Sequence, residues 1–307
     1  MGVAGEAAAA PRNSANWVFE FLPKAFQRNP RLDLTVITEL TAEGKKRPDV
    51  SIQHPVYFLA QSAGYHRTAG APAGEKTVPP DTMDAFVRRS LATRGYYPAT
   101  ATTPASLVLV YSWGVSAQLP RDGTATGDEI ARNLLDRAGL VGGEKFKNEF
   151  SNLLAEASAQ VDASTGSPTR HMTVDGTAVD PVLGADQLEL MSPINQFRER
   201  SAKNEFLLEQ VGGDIYFVMI SAYDGAELAK NRRVLLWRTR MTVSSDGVSQ
   251  PDSLPTLINA AAPYFGREMD EPATLTPRAS PETTVKLGPM IFEGEVGDPV
   301  TEGKSGK

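Results

Sequence analysis

Four arginines crowd one short stretch of the chain: Arg232, Arg233, Arg238 and Arg240. Val234 to Val243 reads as a strand, and two-residue alternation sets Arg238 and Arg240 on one face, about 7 Å apart along the strand. Two guanidiniums at that spacing present paired N–H donors to a carboxylate or a phosphate, with Asp224 as a nearby acidic partner. These four residues are therefore the candidate ligand-binding set, for an anionic small molecule or for an enzyme working on one. The competing account is a solvated sheet face whose cations pair with neighbouring Asp or Glu.

Other chemistry is thin. The 307 residues include no cysteine, which excludes disulfides, thiolate metal sites and cysteine nucleophiles. The three histidines, His54, His66 and His171, show no metal-ligand spacing. Ser62 lies four residues before His66, yet no glycine-flanked elbow surrounds the serine. Gly142-Gly143-Glu144-Lys145 lacks the spacing of a phosphate cradle and suits a helix–helix turn better. The acids Asp175, Asp180, Asp186 and Glu189 do not alternate as calcium ligands do. Tyr57, Tyr65, Tyr96, Tyr97, Tyr111 and Trp113 would line a groove only if they were not core, where aromatics in apolar strands usually go. No catalytic residue, metal or cofactor is assigned.

Charge and hydropathy narrow the partners. Thirty-one basic against 37 acidic residues give a net charge of −6, which disfavours nucleic acid. No window approaches the length of an apolar bilayer span, so no transmembrane segment is expected. Gly5 to Pro11 looks like the small-residue end of an export signal without the apolar stretch that precedes one. That leaves a periplasmic or cell-envelope address beside a cytoplasmic alternative with an Ala-rich leader.

The elements that must position these groups follow from periodicity and from unbroken apolar runs bounded by glycine and proline. Strands are expected near 32–39, 55–62, 106–114, 214–223 and 233–243. Asp81 stands as an N-cap before Met83, Phe86, Val87 and Leu91, a helical stripe that Gly95 stops. Ile130, Leu134 and Ala138 mark one helix and Phe146, Phe150, Leu153, Leu154, Ala157 and Val161 a second, a hairpin broken at Gly139 and Gly142-Gly143. One helix is expected from about 195 to 211, and another through Leu254, Leu257, Ile258, Ala261 and Phe265 with Ser253 as its cap. Residues 164–186 suit a surface loop. The fold class is α+β: a mixed or antiparallel sheet of about five strands, helices mainly on one face, a helical-hairpin insertion at 121–170, and an extended C-terminal arm. Residues 1–30 form a leader with a docking segment at 16–22, residues 31–270 the domain, and residues 271–307 an arm that Met290-Ile291-Phe292 would anchor.

The second half, with the strand ending at Tyr223-Asp224, Leu235-Leu236-Trp237-Arg238 in the next strand and a final helix ending Ala262-Pro263-Tyr264-Phe265, resembles a family of uncharacterised bacterial cell-envelope proteins, many of them lipoproteins. Arg94-Gly95-Tyr96 leading into Leu107–Tyr111 echoes the same family, and the resemblance covers about half the chain. It implies an envelope location and a small α+β sheet domain, with no activity. Two departures stand out: the chain has no cysteine to carry a lipid, and the 121–170 hairpin is not part of the family's pattern. Scarce acid–base groups and Pro-rich termini together lead to an expectation of a non-catalytic protein. It would act through protein contacts, self-associating through its terminal arms.

Overall fold

The computed structural model describes residues 23–27, 29–68, 76–119, 124–165, 172–174, 177–179 and 192–279. The 16–22 segment, the Met290–Phe292 anchor and most of the 164–186 loop lie outside them. The main sheet has seven strands, not five: β1 (Leu34–Leu40), β2 (Val56–Arg67), β3 (Tyr96–Pro98), β4 (Leu107–Ser116), β7 (Ile215–Asp224), β8 (Leu235–Ser244) and β9 (Ala273–Leu275), in the order β3-β2-β4-β7-β8-β1-β9. The separate pair β5 (Met172–Val174) and β6 (Thr177–Val179) forms a two-stranded ladder where a loop was expected. The five long strands are the five expected ones. The added edge strands β3 and β9 are three residues each, too short to show a period of two.

The sheet is mixed. β2 runs parallel to β3 and β4, whereas β4, β7, β8, β1 and β9 pair antiparallel in turn. Gly114 is required where β2 and β4 approach, because a Cβ there would sit 1.8 Å from the His66 carbonyl oxygen.

One face carries the larger core. Leu34, Val36, Leu109, Trp113, Val218, Ile220, Met241 and Val243 point into it, all at most 1% exposed. Helices α1 (Pro80–Ala92) and α6 (Gln250–Ala261) close it with Met83, Val87 and Leu91 from the first and Leu254, Leu257, Ile258 and Ala261 from the second. Both helices read correctly as amphipathic, but their starts shift. Pro80 opens α1, where its missing N–H costs nothing, so Asp81 lies in the first turn facing the positive end of the helix. In α6 the flanking residue is Ser249, and Ser253 lies inside, its hydroxyl donating to the Ser249 carbonyl at 2.7 Å. Within this core Tyr111 donates its hydroxyl to Asp84 Oδ1 at 3.0 Å, and burial, then the Asp84 charge, pushes its pKa up to about 12.

Helices also cover the second face, which corrects the one-sided packing. Helix α2 (Gly127–Thr165) lies on β1 and β8, with α3 (Ser192–Glu199) and α4 (Ala202–Gly212) against it. Leu134, Ala138, Val141, Phe146, Phe150, Phe197, Leu207, Val211 and Ile215 form this second core. A capping box starts α2: the Thr126 amide and hydroxyl bond Glu129, and the Glu129 amide donates back to Thr126 Oγ1. The expected pair of helices meets with no connecting loop, because Gly143 alone leaves the helical range (φ +78°) and turns a corner between them. The single helix expected at 195–211 is two, since Ser201 accepts the Asn204 amide and begins α4 afresh.

The C-terminal arm starts on its own chain. β9 pairs with β1, the Leu32 amide donates to the Pro277 carbonyl at 2.8 Å, and the Ala279 amide donates to that of Pro30 at 2.9 Å.

Candidate functional site

Arg238 and Arg240 do share a face of β8, as alternation requires, and that face looks toward α2. Arg240 is 6% exposed and its guanidinium lies between two carboxylates. Nη1 bonds Glu39 of β1, and Nη2 bonds Glu144 Oε1 at 2.6 Å. Glu39 also accepts the backbone amide of Glu144 at 2.7 Å, so a strand carboxylate caps the outgoing arm of α2 beyond Gly143. A Cβ on residue 143 would sit 2.7 Å from Glu39 Oε1, so glycine serves both the corner and the carboxylate. Two negative charges face one positive charge here, so the cluster is net negative and repels an anion.

The other arginines do not converge on it. Arg238 is half-buried and donates from Nε to Ser221 Oγ at 3.0 Å. Arg232 is exposed and pairs with Glu227, whose carboxyl the Lys230 bond, burial acting the other way, and Arg232 leave below its usual range. Arg233 is exposed. Asp224 serves elsewhere. It accepts the amides of Ala226 (2.9 Å) and Glu227 (3.2 Å) at the start of the one-turn helix α5 (Gly225–Leu228), and it pairs with Arg47. Burial pushes its pKa up, but the two amides and Arg47 outweigh that and hold the carboxyl below its usual value.

Ser62 and His66 are kept apart by the pleat and the irregularity between Ser62 and Gly64. The serine accepts the Gly64 amide at 3.1 Å beside Tyr111, whereas exposed His66 stands opposite Gly114. His54 is exposed in a turn and His171 is outside the described residues. Tyr96, Tyr111 and Trp113 are core, and Tyr111 and Trp113 stack at 6.2 Å. No group of three or more His, Asp or Glu among the described residues could hold a metal, and no helix among them is long and apolar enough to cross a membrane. A shallow cleft over Phe146, Phe197 and Leu207 is bridged at its mouth by Lys203 and Glu271, 2.6 Å apart. Nothing among the described residues assembles catalytic machinery.

Two features escaped the sequence. Arg137 of α2 is fully buried, and none of its three guanidinium nitrogens has a hydrogen-bond partner among the described residues. Its signal was present, since 134, 137, 138 and 141 fall on one helical stripe. The second feature is the part of the second sheet face that α2 leaves bare. Leu59, Gln61, Val108, Val110, Met219 and Tyr223 lie there, half-buried or exposed, with Leu59 at 57%. Its residues alternate with core positions, so the pattern shows which way they point but not that no helix among the described residues covers them.

No family model matches the chain, and no curated protein matches it. Among solved structures, a PelC dodecamer from Paraburkholderia phytofirmans aligns over 76% of this chain and 99% of its own, at 11% identity and a TM-score of 0.27. A likeness at that level carries no conclusion about fold, assembly or activity.

Proposed function

We propose that this protein is a non-catalytic binding or structural protein of the bacterial cell envelope that works through protein–protein contacts, including contacts with its own copies. The bare half of the second sheet face carries this reading. It sets an apolar side chain as exposed as Leu59 beside half-buried Val108 and Val110, on a sheet whose opposite face packs the larger core. The arginine set supports it from the other side, because Arg240 and Arg232 are already held by carboxylates and offer little to a small anion. The envelope address rests on the family resemblance of the second half. The described start of the C-terminal arm is engaged in cis, so contacts between copies are assigned to the sheet and to residues outside 23–279.

Light scattering on the full chain tests the self-association. The expected mass is a multiple of 33.0 kDa; a strict monomer at tens of micromolar, with both termini cut readily by protease, removes the reading. Fractionation of cells carrying the natural gene tests the address, and a cytosolic pool would favour the alternative.

A further inference from the structure

The five long strands share one end. β1 and β7 finish there and β2, β4 and β8 begin there, because Leu40 pairs with Trp237, Leu107 with Asp224 and Phe58 with Leu107. The connections 41–55, 99–106 and 225–234 therefore lie at that end. The first and third touch: Thr41 Oγ1 donates to the Leu235 carbonyl at 2.6 Å, and Arg47 pairs with Asp224.

Cations face outward from these two connections. Lys45, Lys46 and Arg47 stand on one and Lys230, Arg232 and Arg233 on the other, all exposed. Five of the six are in ion pairs, and in every pair the cation is the more exposed partner, as with Arg47 at 50% against Asp224 at 10% and Arg232 at 66% against Glu227 at 20%. Arg233 has no hydrogen bond or ion pair among the described residues. The other acids here are Glu43, Asp49 and Glu268, and Asp49 stands with Arg94 and Arg267 around the Tyr96 hydroxyl. The local sum is positive on a chain whose net charge is −6.

A second signal at this end is independent of charge. Residues 50–66 and 96–120 contain no Asp, Glu, Lys or Arg, in a chain where 22% of residues are charged. Ile52, five residues after Arg47, is 63% exposed. The 99–106 connection is built of Ala, Thr, Pro and Ser alone, most of it exposed. Tyr57 and Tyr97, half-buried with ring centres 6.5 Å apart, stand at the same end, and tyrosine favours the headgroup level of a bilayer.

We infer that this end of the sheet docks on a bilayer surface bearing anionic headgroups, with the strands standing on the membrane and Ile52 entering the headgroup boundary. A small anion needs free donors in one place, and most of these cations already hold a carboxylate. An extended anionic surface responds instead to the summed field and to which charge lies outermost. An acidic protein would answer the cations but not the bare isoleucine beside them, whereas charge and apolar insertion together are the two signals that hold a protein on lipid. This docking uses the end of the sheet and not its bare face, so it goes beyond the self-association proposed above and stands or falls separately from it.

Co-flotation of the full chain with vesicles tests it. Binding is expected to vesicles of equal parts phosphatidylglycerol and phosphatidylcholine, to weaken as salt is raised, and to be absent with phosphatidylcholine alone. A cation near a charged bilayer accounts for about a fivefold change in partitioning, so Lys46→Ala combined with Arg233→Ala is expected to lower it by about 30-fold. Ile52→Ser is expected to lower it by about tenfold. Leu59→Ser, on the bare face, is expected to bind vesicles as wild type does. All these sites are exposed, and unchanged urea midpoints would show that the variants fold. No binding to anionic vesicles, or binding that both the double variant and Ile52→Ser leave unchanged, overturns the docking. Binding that the double variant loses, that Ile52→Ser keeps and that polyglutamate competes away overturns the lipid surface in favour of an acidic protein.

Discussion

Arg137 gives the sharpest test of the packing. It is fully buried, its three guanidinium nitrogens have no hydrogen-bond partner among the described residues, and burial brings its pKa from 12.5 down to about 10, with Asp214 opposing the fall. At about 1.4 kcal/mol per pH unit, that is a penalty of roughly 3 kcal/mol on the charged form that the folded state carries at neutral pH. Methionine keeps most of the aliphatic stem and removes the charge. Arg137→Met should therefore raise stability by about 1–3 kcal/mol, within the roughly 1–4 kcal/mol gained when buried ionic groups give way to apolar ones. In urea titrations followed by tryptophan fluorescence, the midpoint should rise with an unchanged slope, and the melting temperature should climb by roughly 2–4 °C per kcal/mol. Arg137→Ala, which also leaves a void, should give less or turn negative. Loss of 1 kcal/mol or more in Arg137→Met would refute the reasoning, because it would mean the guanidinium is compensated by a carboxylate or bound anion.

Three further outcomes follow from the same geometry. Arg240→Ala should cost about 2–4 kcal/mol in urea unfolding, since Glu39 and Glu144 would then face each other unneutralised, with no change in binding of inorganic phosphate by calorimetry. Among the glycines, Gly64→Ala should cost about 1 kcal/mol for its positive φ in open space, Gly143→Ala more because its Cβ also meets Glu39, and Gly114→Ala most because it parts β2 from β4. Asp224 has a depressed folded pKa, so its contribution is complete above the unfolded value and is lost as pH falls through the folded one. The stability advantage of wild type over Asp224→Asn should therefore be full at pH 7 and shrink below about pH 4.

The five long strands and the helices on the first core were legible because each carries a local signal: a period, as Leu34, Val36 and the Met83–Leu91 stripe show, or an unbroken apolar run, as in Val56–Ala60 and Ile215–Ala222. The second helical layer was not. Alternation in β8 made Arg238 and Arg240 look like a solvent face, yet Thr242 on the same face is fully buried and bonded to Thr35, and Arg240 is buried with it. A polar face can be covered when its groups satisfy one another, and their partners stand far off in sequence: Glu39 is 201 residues from Arg240, and Glu144 is 96. Local periodicity gives the direction of a side chain and leaves open who meets it there. The same gap hid Arg137, whose place on an apolar stripe was plain while its lack of a hydrogen-bonded partner among the described residues was not. It also explains the reading of Gly142-Gly143 as a connecting turn. Only the arrival of Glu39 from β1 shows that a single left-handed residue suffices, because the strand carboxylate supplies the cap that a loop would have brought.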